Sequence, residues 1–182
     1  MSSFFDKYIQ NPKLREIAEW LLALVIATII FFILRQFLFR TVRIMGISME
    51  PAFHHGERLI VSRVPYWFGA PGYGDVIAFP YKENPSQKYI KRIIGLPGDV
   101  IDFIDNQFTV NSVPIEGDYI NVFGNVIFPM VVPEKTCFVL GDNRNASKDS
   151  RYQEVGCVPE KDIVGKAVLR FWPPGKIGAV SW

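Results

Sequence analysis

The chain has 182 residues, 49% of them apolar and 21% charged, which leaves room for one membrane-length helix and one compact domain. A net charge of +2 with no basic block leaves nucleic-acid binding without an electrostatic footprint. Cys137 and Cys157 are too few for a disulfide framework and lack metal-site spacing; of one bridge or two unpaired, half-buried thiols, the second is the preferred reading.

From Trp20 to Leu34 the sequence WLLALVIATIIFFIL carries no charge. With Ile17, Ala18 and Phe37-Leu38-Phe39 added, a helix over residues 17–39 approaches the roughly 20 residues that a bilayer core needs. Glu19 and Arg35 fall near its ends, where long side chains reach the interface, and Trp20 suits an aromatic belt. A cleaved signal peptide would end in a small-x-small site, whereas Arg-Gln-Phe-Leu-Phe-Arg follows here. A buried core helix would be striped, and this run is apolar on all sides. The run therefore predicts an uncleaved transmembrane anchor. Charge does not orient it, because Lys7, Lys13 and Arg15 precede it while Arg35, Arg40 and Arg43 follow.

Beyond Phe39 the period changes to two. Val42 and Ile44 alternate with Arg43 and Met45, and further short strands are expected at Leu59 to Val61, Val76 to Phe79, Tyr89 to Ile94, Val100 to Ile104, Phe108 to Val110, Cys137 to Leu140 and Ala167 to Trp172. Gly and Pro punctuate the intervals, as at Pro97-Gly98 and Pro173-Pro174-Gly175. The expected fold is mainly β: a coiled or partly barrel-like antiparallel domain over residues 40–182, behind one N-terminal transmembrane helix and a leading segment of residues 1–16. Residues 116–133 are expected to form a loop or an extra hairpin. Val64-Pro65-Tyr66-Trp67-Phe68 reads equally as core or as an apolar patch at a membrane interface.

Three blocks stand out in this β region. Gly46-Ile47-Ser48-Met49-Glu50-Pro51 sets one serine between a flexible Gly and a rigid Pro. Tyr89-Ile90-Lys91-Arg92-Ile93-Ile94-Gly95-Leu96-Pro97-Gly98-Asp99 carries a lysine among apolar neighbours. Gly141-Asp142-Asn143-Arg144-Asn145-Ala146-Ser147-Lys148-Asp149-Ser150-Arg151 follows. These blocks in this order, with Gly74-Asp75-Val76-Ile77-Ala78-Phe79, resemble the type I signal peptidases, and the resemblance runs from the apolar helix to about Val164. It implies a cytoplasmic N-terminus, an extracytoplasmic catalytic domain and no cofactor or metal. The substrates it implies are preprotein signal peptides cut after small-x-small sites at a lipid surface. The default compartment is a bacterial plasma membrane, with a thylakoid membrane and lumenal site as the alternative.

A serine hydroxyl needs a base. His54 and His55 adjoin the Ser48 block, but neighbours on an extended chain face opposite ways, and no motif supplies an orienting carboxylate. They read as surface or packing residues. Lys91 taken alone reads as a lysine guarding a sheet edge; the resemblance makes it the base. That role requires lowering a pKa near ~10.4 to about 7–8, roughly 4 kcal/mol against the charged form, by burial among Tyr89, Ile90, Ile93 and Ile94.

The resemblance further implies that Ser147 bonds the Lys91 amine, and that Asp142, Arg144, Asp149, Arg151 and Arg92 form a supporting charge network. Gly46 stands where part of the family has a serine donating to the oxyanion, so that donor is missing; the Ser48 N–H is the expected first donor. Ala52-Phe53 departs from the family's usual Thr-Leu. Val42, Ile44 and Ile90 are the expected walls of a substrate pocket for small side chains. Two rivals remain: a catalytically silent membrane-tethered β adaptor, and a self-cleaving repressor-like Ser-Lys peptidase, which would call for a DNA-binding helical domain where this chain has the apolar run.

Overall fold

Past the apolar run, alternation replaces helical periodicity and the chain folds as antiparallel β. The computed structural model describes residues 11–117 and 124–180, without the side chains of residues 33 and 35–37. It divides into two compact units, Met1–Leu38 and Phe39–Trp182.

The first unit contains α1 (Pro12–Leu38). It starts earlier than residue 17 because Asn11 and Pro12 form a start signal: Asn11 Oδ1 accepts the Lys13 N–H at 3.0 Å, and Pro12 lacks the N–H that the first turn would leave unbonded. The early start brings Lys13, Arg15 and Glu16 into the helix. Among the described residues, no helix is long and apolar enough to cross a membrane. The transmembrane span expected over 17–39 is thus not established by the fold, and the chain is already in strand conformation at Phe39. The leading segment expected over 1–16 lies, up to residue 10, outside the described residues.

The second unit holds β1 (Phe39–Arg43), β2 (Arg58–Ser62), β3 (Val76–Tyr81), β4 (Asn84–Gly95), β5 (Val100–Ile104), β6 (Gln107–Val110), β7 (Val113–Pro114), β8 (Met130–Val131), β9 (Thr136–Leu140), β10 (Val158–Pro159), β11 (Gly165–Trp172) and β12 (Gly178–Ala179). One sheet runs β1-β2-β11-β3-β4-β9-β10, with β12 on β11; the other runs β7-β6-β5-β8. Each pairing given for them is antiparallel. Two sheets therefore stand where one coiled or partly barrel-like sheet was expected. The smaller one begins at its own hairpin, where Asp105 and Asn106 both take positive φ. Of the loop or hairpin expected over 116–133, residues 118–123 lie outside the described residues, and Met130–Val131 pairs with β5.

The period-2 pattern explains the packing. Val76 and Ala78 of β3 face a cluster with Ile44, Met49, Phe53, Leu59 and Ile90, while Ile77, Phe79 and Tyr81 face another with Ile93, Cys137 and Val139. A third cluster of Ile94, Ile101, Phe108, Phe138 and Leu140 joins β4 and β9 to the small sheet. With both faces covered, β3 and the inner half of β4 form a rigid floor. Both cysteines are free, and they face different clusters: Cys137 the second, Cys157 the third. The Val64–Phe68 segment divides. Tyr66 packs on the core and its hydroxyl donates to Asp75 at 2.9 Å, whereas Trp67 and Phe68 are exposed.

One buried carboxylate ties β11 to the start of β2. Glu57 accepts from Arg170 Nη1 at 3.2 Å and from Lys176 Nζ at 3.1 Å. Burial pushes its carboxyl up, but the bonds from Lys176 and Arg170 outweigh burial and hold it below its ordinary value of 4.5. A depressed carboxyl contributes stability that is full above its unfolded pKa and lost as pH falls through the folded one. Urea unfolding should accordingly show stability declining below the ordinary carboxylate range, and Glu57→Gln should flatten that decline while lowering stability at neutral pH.

Candidate active site

The site forms where the loop between β1 and β2 meets β4. The β1–β2 ladder ends at Arg43 paired with Arg58, and two further bonds extend it, Ile44 N–H to Glu57 C=O at 2.8 Å and Gly56 N–H to Ile44 C=O at 3.0 Å. Gly46 then takes φ +90°, a left-handed turn that suits glycine, and carries the chain to Ser48. Met49 and Phe53, both buried, anchor the loop in the first cluster.

Lys91 comes from β4, opposite Ile77 of β3. Its Nζ lies 2.8 Å from Ser48 Oγ and also donates to the Ile90 carbonyl at 3.1 Å. The Tyr89 ring is 5.4 Å from the amine. Lys91 is 4% exposed. Burial pulls its pKa down to about 8, with Arg151 adding repulsion and Asp149 and Asp142 opposing the shift. An amine with that pKa is partly neutral at physiological pH, and at this distance it can take the proton of the hydroxyl.

Ser48 and Lys91 share the wall of a cavity of about 700 Å³ whose other lining residues include Val42, Ile44, Met45 and Ile90. The three expected pocket residues therefore line the same space as the serine. Polar side chains of Asn84, Ser86 and Gln87, with Lys148, are also on the lining.

The third block packs behind. Because neighbours on a strand face opposite sides, Arg92 points away from Lys91 and forks onto Asp142 with two bonds of 2.8 Å, while its Nη1 donates to Gly74 C=O at 2.9 Å. Arg151 forks onto Asp149 at 2.7 and 2.9 Å, both residues being buried, and also donates to Ser147 C=O at 3.2 Å. Asp149 further accepts the Gly141 N–H at 3.0 Å. Two forked pairs thus stand among the residues of the expected network. Arg144 is buried and lines a second, smaller cavity with Ser147 and Arg151.

The bond expected from Ser147 to Lys91 is not formed. Ser147 Oγ is buried with no hydrogen-bond partner among the described residues, and the Lys91 amine bonds instead to Ser48 and the Ile90 carbonyl. Neither histidine bonds Ser48: His55 Nδ1 accepts the Gly46 N–H at 3.0 Å, and His54 Nδ1 lies 3.8 Å from Glu57.

A family model described as signal peptidase, peptidase S26, matches residues 17–172. The chain belongs to the signal peptidase family. It is 39% identical to a signal peptidase I of Leptolyngbya laminosa over 74% of this chain and 69% of that protein. It is 35% identical to signal peptidase I P of Bacillus subtilis subsp. natto over 95% and 97%. A crystal structure of a signal peptidase I from Enterococcus faecalis matches with a TM-score of 0.43 at 35% identity, covering 55% of this chain and 98% of that one. The assignment rests on the sequence matches. Family membership makes the chain a serine endopeptidase acting on the signal peptides of preproteins.

Two main-chain contacts at Ser48 escaped the sequence reading. Asn143 N–H donates to Ser48 C=O at 3.1 Å, and Gly141 lies so close that a Cβ there would come within 2.4 Å of the same oxygen and collide with the Ser147 side chain. The signal for Gly141 was its place at the head of the third block; nothing local marked Asn143, whose backbone alone takes part. Gly141→Ala should therefore displace the Ser48 loop and reduce preprotein cleavage by about tenfold or more. Steady-state cleavage beside a thermal unfolding scan checks this, since loss of activity should exceed what unfolding explains.

Proposed function

We propose that this protein is a membrane-anchored serine endopeptidase that removes signal peptides from exported preproteins, with Ser48 as nucleophile and Lys91 as general base. The observation that carries the reading is the 2.8 Å approach of a buried lysine amine, pKa about 8, to a serine hydroxyl in a cavity wall. In this mechanism neutral Lys91 takes the Ser48 proton as Oγ attacks the carbonyl carbon of the scissile bond. The resulting ammonium returns that proton to the leaving amine nitrogen. Water then repeats the sequence on the acyl-enzyme, and Ser48 is released. The Ser48 N–H serves as one oxyanion donor.

The supporting roles belong to Ser147, Asp142, Arg144, Asp149, Arg151 and Arg92, which hold the third block against the reactive strand. Small-x-small selection falls to Val42, Ile44 and Ile90, branched side chains on the cavity wall that also holds Ser48. Because β1 ends the large sheet among the described residues and also lines this cavity, its outer edge suits the substrate as an added strand.

The uncharged stretch Trp20–Leu34 is the proposed anchor. It lies within a 27-residue helix, about 40 Å long at the usual rise. The resemblance supports a catalytic domain on the extracytoplasmic side of the plasma membrane. An anchored enzyme meets its substrate at the surface where signal peptides emerge, which raises effective concentration without new contacts.

Purified full-length protein in detergent, given a preprotein with an Ala-x-Ala site, tests the chemistry. Ser48→Ala and Lys91→Ala should each lose more than about 10³-fold in kcat. For the wild type kcat/KM should rise with pH through about 8, since only the neutral amine is a base. Full activity in Lys91→Ala would remove Lys91 as the base, and a folded wild type that cuts no preprotein would favour the adaptor reading. In isolated membranes the full chain should resist alkaline carbonate extraction; release into the wash would overturn the anchor.

A further inference from the structure

The Ser48 turn is tied on both sides. On its C-terminal side the Ser48 carbonyl accepts from Asn143. On its N-terminal side the backbone ladder of β1 and β2 stops at Ile44, and the next bond inward uses a side chain: Gly46 N–H donates to His55 Nδ1 at 3.0 Å. Gly46 is the most adaptable residue type at the most adaptable point of the loop, with φ +90° and open space where a side chain would stand. Past it the turn is closed by Glu50 N–H donating to Ile47 C=O at 3.1 Å and anchored by buried Met49, so His55 is the contact that fixes the Gly46 end.

We propose that His55 is a positioning residue for Ser48, acting through the Gly46 amide; this rests on the Ser-Lys reading above. A backbone N–H only donates, so Nδ1 is the unprotonated nitrogen and the imidazole carries its proton on Nε2. His55 is solvent-exposed and the bond adds little to stability. Its effect is geometric: with the Gly46 amide released, Ser48 Oγ wanders relative to a Lys91 amine that the rigid floor of β4 keeps in place, and fewer encounters have the reacting geometry. His54 has no such contact, its ring sitting near Glu57.

The test is preprotein cleavage by full-length wild type, His55→Ala, His55→Asn and His54→Ala in detergent, with unfolding temperatures for each. His55→Ala should lose about three- to tenfold in kcat, the worth of one hydrogen bond, with KM and unfolding temperature unchanged. His55→Asn should recover most of the loss, because an amide oxygen can accept the same N–H; His54→Ala should match wild type. Nitrogen NMR of the wild type should show His55 as the Nε2–H tautomer with a hydrogen-bonded Nδ1. Wild-type kcat in His55→Ala, an Asn variant no better than Ala, a loss confined to KM, or a protonated Nδ1 in the neutral ring would each overturn the proposal alone. A wild type that cuts no preprotein overturns the peptidase reading and this proposal with it.

Discussion

Keeping water away from one amine is the constraint on which this structure turns. A lysine in solvent is an ammonium and no base; Lys91 has its pKa near 8 because burial opposes its charge more strongly than Asp149 and Asp142 favour it. The dryness is a property of the whole sheet. β4 lies between β3 and β9, and the apolar clusters on either face leave Lys91 4% exposed. The amine lines the cavity, and there it meets Ser48.

A site that excludes water must also satisfy the charges it buries. Arg92 and Arg151 each have a carboxylate partner in forked geometry, and Asp149 takes a backbone N–H besides. Buried pairs of this kind add little net stability, since desolvation offsets attraction, yet losing one partner strands a charge. They lie in the same segment as Gly141 and Asn143, whose backbones stand against the Ser48 carbonyl, and Asp149 itself accepts the Gly141 N–H. Strand parity keeps the two jobs apart, with Lys91 and Arg92 adjacent in sequence and directed to opposite sides.

Legibility followed the length of the signal. Every strand expected from alternation is present, because several residues of period two leave few alternatives. The two-residue strands β7, β8, β10 and β12 were not read, since two residues carry no period. The helix was read from hydropathy and its start was missed, because Asn11-Pro12 is a capping signal that hydropathy does not register. Ser147 was expected on Lys91, and its hydroxyl has no partner among the described residues; His55, read as a surface or packing residue, bonds the turn before Ser48.

The sequence by itself determined the family, the antiparallel β architecture and the short set of side chains able to carry the chemistry, because motifs and periodicity are local in the chain. Tertiary structure decided the rest: that Ser48 and Lys91, 43 positions apart, stand within hydrogen-bond distance, that the amine is dry, and which backbone groups steady the serine. Desolvation and hydrogen-bond distance are sums over neighbours from distant strands, and those neighbours exist only once the sheets have packed.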